Sequence, residues 1–149
     1  MDERTVPPGE PEPRSDVRIE RRAVIARRHA YRGDVETALG IFRELMPAAP
    51  SDQRRHLWLL ARYAEALRLS KDLGRYETLC WVIDEMVRVW RSWHEAAPPL
   101  GKVRSCARRQ LSAGIRALLA TARRAGHDSG IGRSALDRAR SVLSLAGAH

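Results

Sequence analysis

Three glycines in this chain are followed by apolar residues at the same three offsets. Gly33 precedes Ala38, Phe42 and Leu45, Gly74 precedes Leu79, Ile83 and Met86, and Gly130 precedes Ala135, Ala139 and Val142. Offsets of 5, 9 and 12 bring the three side chains to one face of a helix that starts just beyond a turn. Upstream the register continues, with Ala23, Ala64 and Ala120 ten residues before the glycines and Arg27, Arg68 and Arg124 six before. A small residue facing a neighbour, a turn at glycine and a second helix with an apolar stripe describe a helical hairpin used three times. The expected fold is all-α, with about six helices in three stacked antiparallel hairpins.

The prolines, at 7, 8, 11, 13, 47, 50, 98 and 99, leave three long stretches free to be helical. The sequence predicts a first helix over 16–31, with Asp34 capping the second and Pro47 and Pro50 ending it. Ser51 is expected to cap a third helix that runs to Leu73 and stops at a left-handed Gly74. The fourth carries Leu79, Val82, Ile83, Met86, Val89, Trp90 and Trp93 along one stripe, the most hydrophobic surface of the chain. Beyond Pro98 and Pro99, a fifth helix over 100–125 turns Val103, Ala107, Leu111, Ile115, Leu118 and Ala122 inward. A sixth is expected near Ser134, where Ser134 and Asp137 have capping-box spacing.

The segment from Gly33 to Leu45, closed by Pro50, resembles the second helix of a tetratricopeptide repeat. Gly33-Asp34, Ala38, Phe42 and Pro50 stand at that family's spacing. The glycines lie 41 and 56 residues apart, against a family period of about 34. Leu79 replaces the preferred alanine, and the third unit has neither the aromatic nor the closing proline. The resemblance is therefore to degenerate hairpins with longer helices and a long second-to-third connection. In that family the first helices of successive hairpins line a concave groove that holds a peptide or a partner helix. The resemblance implies that Ala23, Arg27, Ala64, Arg68, Ala120 and Arg124 face such a groove, the alanines leaving room and the arginines donating to a carboxylate-bearing partner.

Residues 1–15, with four prolines among acidic residues, offer too little apolar surface to offset ordering entropy, so a flexible acidic tail is expected there. Residues 16–149 then form one helical domain, whose last third is strongly basic. No apolar run reaches the ~18 residues of a membrane span, and the start lacks a basic segment followed by an apolar one, so the expected location is cytoplasmic. Cys80 and Cys106 fall inside predicted helices and read as buried thiols. There is no Cys-x-x-Cys or closely spaced His pair, no Gly-rich phosphate loop and no Gly-x-Ser-x-Gly. The five histidines are scattered, so no metal, cofactor or catalytic residue is expected. Of the four tryptophans, Trp90 and Trp93 fit the core, whereas Trp58 and Trp81 fall beside the main stripes, where they suit a groove lining.

Charge opens a second reading. Of the net +9, residues 98–149 carry +8 and residues 1–17 carry −3. On the fifth helix Lys102, Arg109, Arg116 and Arg123 recur every seven residues in one row, with Arg104 and Arg108 beside it. The row is a candidate contact for an anion or a nucleic-acid backbone, although a solvated face in an arginine-rich chain has the same pattern. The leading expectation is a non-enzymatic adaptor or regulatory subunit that binds an acidic or amphipathic peptide segment of another protein. The alternative is a nucleic-acid-binding accessory subunit of a ribonucleoprotein or DNA complex that uses helix 100–125.

Overall fold

The computed structural model describes residues 15–48, 50, 52–96 and 101–147. They form six helices, and among the described residues there is no strand: α1 (Ser15–Tyr31), α2 (Val35–Leu45), α3 (Gln53–Ser70), α4 (Tyr76–Ala96), α5 (Gly101–Ala125) and α6 (Gly130–Gly147). The expected acidic tail lies outside the described residues, apart from Ser15, which opens α1.

Between α1 and α2 the chain reverses at Gly33, whose φ of +91° lies in the left-handed region that glycine enters without steric cost. The Gly33 amide donates to Ala30 O and the Asp34 amide to His29 O, which closes the end of α1. Asp34 occupies the N-cap position of α2, and its carboxylate pairs with the His29 ring at 3.2 Å. After Leu45 the chain tightens into a 3-10 turn, Met46–Ala48, that contains Pro47.

The other two turns differ from expectation. Ser51 lies outside the described residues, and Asp52 caps α3 by accepting from the Arg54 amide at 2.9 Å. The helix ends at Ser70, and Lys71 rather than Gly74 takes the left-handed conformation (φ 58°). Gly74 needs no such freedom, because it sits in the 3-10 turn Leu73–Arg75, where its amide donates to the Asp72 carboxylate. In the third hairpin the turning glycine is Gly126 (φ +91°), four residues before Gly130. Ser129, not Ser134, caps α6, through an Oγ that accepts from the Gly132 amide at 2.9 Å. Ser134 is an interior helix residue whose hydroxyl meets Tyr76 OH at 2.6 Å.

The stripes survive these shifts: all nine residues at offsets 5, 9 and 12 from the three glycines are buried. The helices pair α1 with α2, α3 with α4 and α5 with α6, and α3 lies at the centre, touching α1, α2, α4 and α5. Leu57, Leu60, Ala64 and Leu67 of α3 share one core with Ile83, Met86 and Trp90 of α4 and Leu111, Ile115 and Leu118 of α5. At the α4–α5 crossing Gly114 admits Ile83, whose Cδ1 stands 2.7 Å from where a Cβ would be. Two stripe assignments and the reading of both cysteines need correction. Val103 is exposed, Trp93 is half-buried, and both cysteines are half-buried, free thiols rather than core groups.

Candidate functional site

The first helices of the hairpins border a groove of about 470 Å3, built by Glu20 and Val24 of α1, Leu57 and Trp58 of α3, and Cys106, Ala107 and Gln110 of α5. Helical spacing continues the face of Val24 and Trp58 beyond the lining. Val24, Arg27 and Tyr31 follow one another at steps of three and four on α1, as do Trp58, Arg62 and Glu65 on α3, so each set keeps one face.

A polar ladder crosses this face. Arg27 Nε donates to Glu65 Oε1 at 3.0 Å, and Tyr31 OH donates to the other carboxylate oxygen. Arg62 stands 3.8 Å from the same carboxylate and donates through Nη2 to Gln110 Oε1 at 3.1 Å. One glutamate of α3 thereby receives α1, while one arginine of α3 reaches α5. Burial holds the Arg62 pKa below its ordinary value, an effect that the Glu65 charge opposes. The Arg62 guanidinium lies over the Trp58 ring at 5.9 Å, which fixes the indole at the edge of the groove. At the groove mouth Arg55 is held by Asp16 and Glu20, whereas the Arg54 side chain is exposed.

The six residues proposed for partner contact scatter. Ala23 and Ala64 are fully buried and stand outside the groove lining; as small residues they set the close approach of neighbouring helices. Ala120 is half-buried. Arg27 lies outside the groove lining and is occupied by Glu65, Arg68 is half-buried, and Arg124 is exposed near the end of α5. Glu65, Arg62, Tyr31 and Gln110 were not singled out from sequence. The usable signal was the three-and-four spacing of polar residues opposite the apolar stripe of α3.

The cationic row keeps the expected geometry: Lys102, Arg109, Arg116 and Arg123 are all exposed. Helix α5 has seven cations and no carboxylate, and none of these cations is ion-paired among the described residues. A second cleft, of about 910 Å3, separates α4 from α6. It is spanned by the Arg138–Asp84 ion pair and floored by Ile83, Val87 and Val142. Among the described residues no group of three or more metal-ligating side chains converges, and no helix is long and apolar enough to cross a membrane. No family model, curated protein or solved structure matches the chain.

Proposed function

We propose that this chain is a non-enzymatic protein-interaction module, acting as an adaptor or regulatory subunit, and that it receives an amphipathic, carboxylate-bearing segment of a partner in the groove across α1, α3 and α5. The observation that carries this reading is the groove's composition. Trp58 and Val24 supply apolar contact area, while Arg54 and Gln110 supply donors along its lining. An aromatic anchor beside arginine is the combination that dominates binding energy at protein interfaces. The groove's own carboxylates are engaged, Glu20 by Arg55 and Asp52 by the Arg54 amide, which suits recognition better than proton transfer. The tetratricopeptide resemblance points the same way, since in that family first helices line the binding surface.

The test is selection of displayed peptides against the full chain, followed by affinity measurement on Trp58→Ala and Arg54→Glu. The selected peptides should be amphipathic with at least one carboxylate, and each substitution should weaken them by about tenfold or more, the range of a moderate interface contact. Peptides that bind both variants as well as the parent would place the contact elsewhere and remove this reading.

A further inference from the structure

Apart from the groove, the outward side of α5 carries a second pattern. Between the four cations of the row stand Ser105, Ser112 and Leu119, so that residues 102, 105, 109, 112, 116, 119 and 123 follow one another at alternating steps of three and four. Alternation of three and four is the seam along which one helix meets another. Along α5 the cations repeat about every 10.5 Å and the seam extends about 31 Å, at 1.5 Å per residue.

Six of the seven seam residues are exposed, and Ser112 is half-buried. The buried residues of α5, among them Ala107, Leu111, Leu118 and Ala122, point the other way, and Gln110 marks the side that faces α3. The two serines are small enough to let a second helix approach, and the Ser112 hydroxyl is already satisfied by Arg108 O at 3.1 Å. Leu119 is 37% exposed on the seam, and Leu143 of the adjoining α6 is 52% exposed. The first turn of α5 contains no acidic residue, so Lys102 and Arg104 add positive charge to the positive end of the helix dipole.

We infer that the seam Lys102–Ser105–Arg109–Ser112–Arg116–Leu119–Arg123 is a second docking surface, distinct from the groove, and that its occupant is an acidic amphipathic helix of a partner protein. Charge decides the occupant's sign. A second copy of this chain, meeting the seam with its own, would set arginine rows against each other with no carboxylate on either α5 to relieve them. Spacing and leucines decide its shape. A heptad of carboxylates meets the cations one for one, and apolar residues beside them reach Leu119 and Leu143, for which a phosphate backbone has no counterpart.

The probe is a designed helical peptide as long as α5, 25 residues, with Glu at every seventh position and Leu beside them. A scrambled peptide of equal composition and a DNA duplex serve as comparisons. Fluorescence anisotropy with the full chain at about 0.15 M salt should show the heptad peptide binding about tenfold or more tightly than either comparison. Arg109→Glu with Arg116→Glu should abolish that difference, Arg109→Gln with Arg116→Gln should reduce it, and Trp58→Ala in the groove should leave it intact. Circular dichroism identifies any variant that fails to fold, and the glutamine pair then carries the test. Equal affinity for the scrambled peptide, tighter binding of the duplex with the same arginine dependence, or dimerisation lost in these variants would each overturn the assignment.

Discussion

Glu65 of α3 holds Arg27 of α1, with Nε 3.0 Å from Oε1, and the two partners are unequally exposed: the Arg27 side chain is 45% accessible and the Glu65 side chain 13%. The consequences of removing each are therefore unequal. Arg27→Ala deletes a half-exposed partner and should cost no more than about 1 kcal/mol, the upper range for solvent-exposed ion pairs. Glu65→Ala leaves Arg27 and Tyr31 without their common acceptor and Arg62 without its counter-charge, and should cost about 1–3 kcal/mol. Urea unfolding of both variants measures the order directly. A larger loss for Arg27→Ala would show that the ladder does not stabilise the α1–α3 junction in this way.

That pair also marks how far the sequence could be read. Helix identities and faces were legible because they depend on apolar periodicity alone, and every stripe residue of the three phrases is buried. Turns were not, because a turn depends on which residue accepts a strained φ. Gly33 does so as expected, yet Lys71 and Gly126 take that role where Gly74 and Gly130 were expected. Ala23 and Ala64 repeat because helices must approach closely, a packing cause that a spacing argument cannot separate from a binding one. The groove's ladder joins residues up to 48 positions apart, Arg62 with Gln110, and only the fold brings them together.

Trp90 is fully buried in α4, and its indole Nε1–H has no acceptor among the described residues. Trp90→Ala removes the largest fully buried side chain and should lower stability by about 3–5 kcal/mol. Trp90→Phe keeps an aromatic ring and deletes an unsatisfied buried donor, so its loss should be the smaller of the two. Thermal unfolding followed at the helix band ranks them. Equal losses would mean that the indole makes a polar contact essential to the fold.

Two glycines in the first turn of α6 offer a matched comparison. Gly130 is exposed, and a Cβ there meets nothing within 4 Å, so Gly130→Ala should be neutral or stabilising by up to about 1 kcal/mol through helix propensity. Gly132 is buried, and a Cβ there runs into the carbonyl oxygen of Gly126, which also accepts from the Ser129 amide. Gly132→Ala must therefore displace backbone at the α5–α6 turn and should cost about 1–3 kcal/mol, as overpacking does. If the two substitutions shift the melting temperature alike, the turn is not closed around Gly132.

His56, at the start of α3, is half-buried, and its pKa lies below the ordinary 6.5 because burial disfavours the charged ring; the Arg88 guanidinium adds to the shift and Glu85 opposes it. The sign of its effect on stability follows from the proton count. Above pH 6.5 the ring is neutral in both the folded and the unfolded chain, so the favourable contribution is fully present. As pH falls below 6.5 the unfolded chain takes up a proton that the folded chain resists, and stability declines until the folded ring also titrates. Glu85, whose own pKa is lowered chiefly by its hydrogen bond from Arg88, acts in a separate window, below its ordinary 4.5. Melting temperatures taken between about pH 8 and about pH 5 should therefore fall less steeply in His56→Gln than in the parent. Parallel curves would show that His56 is protonated as readily in the folded chain as in the unfolded one.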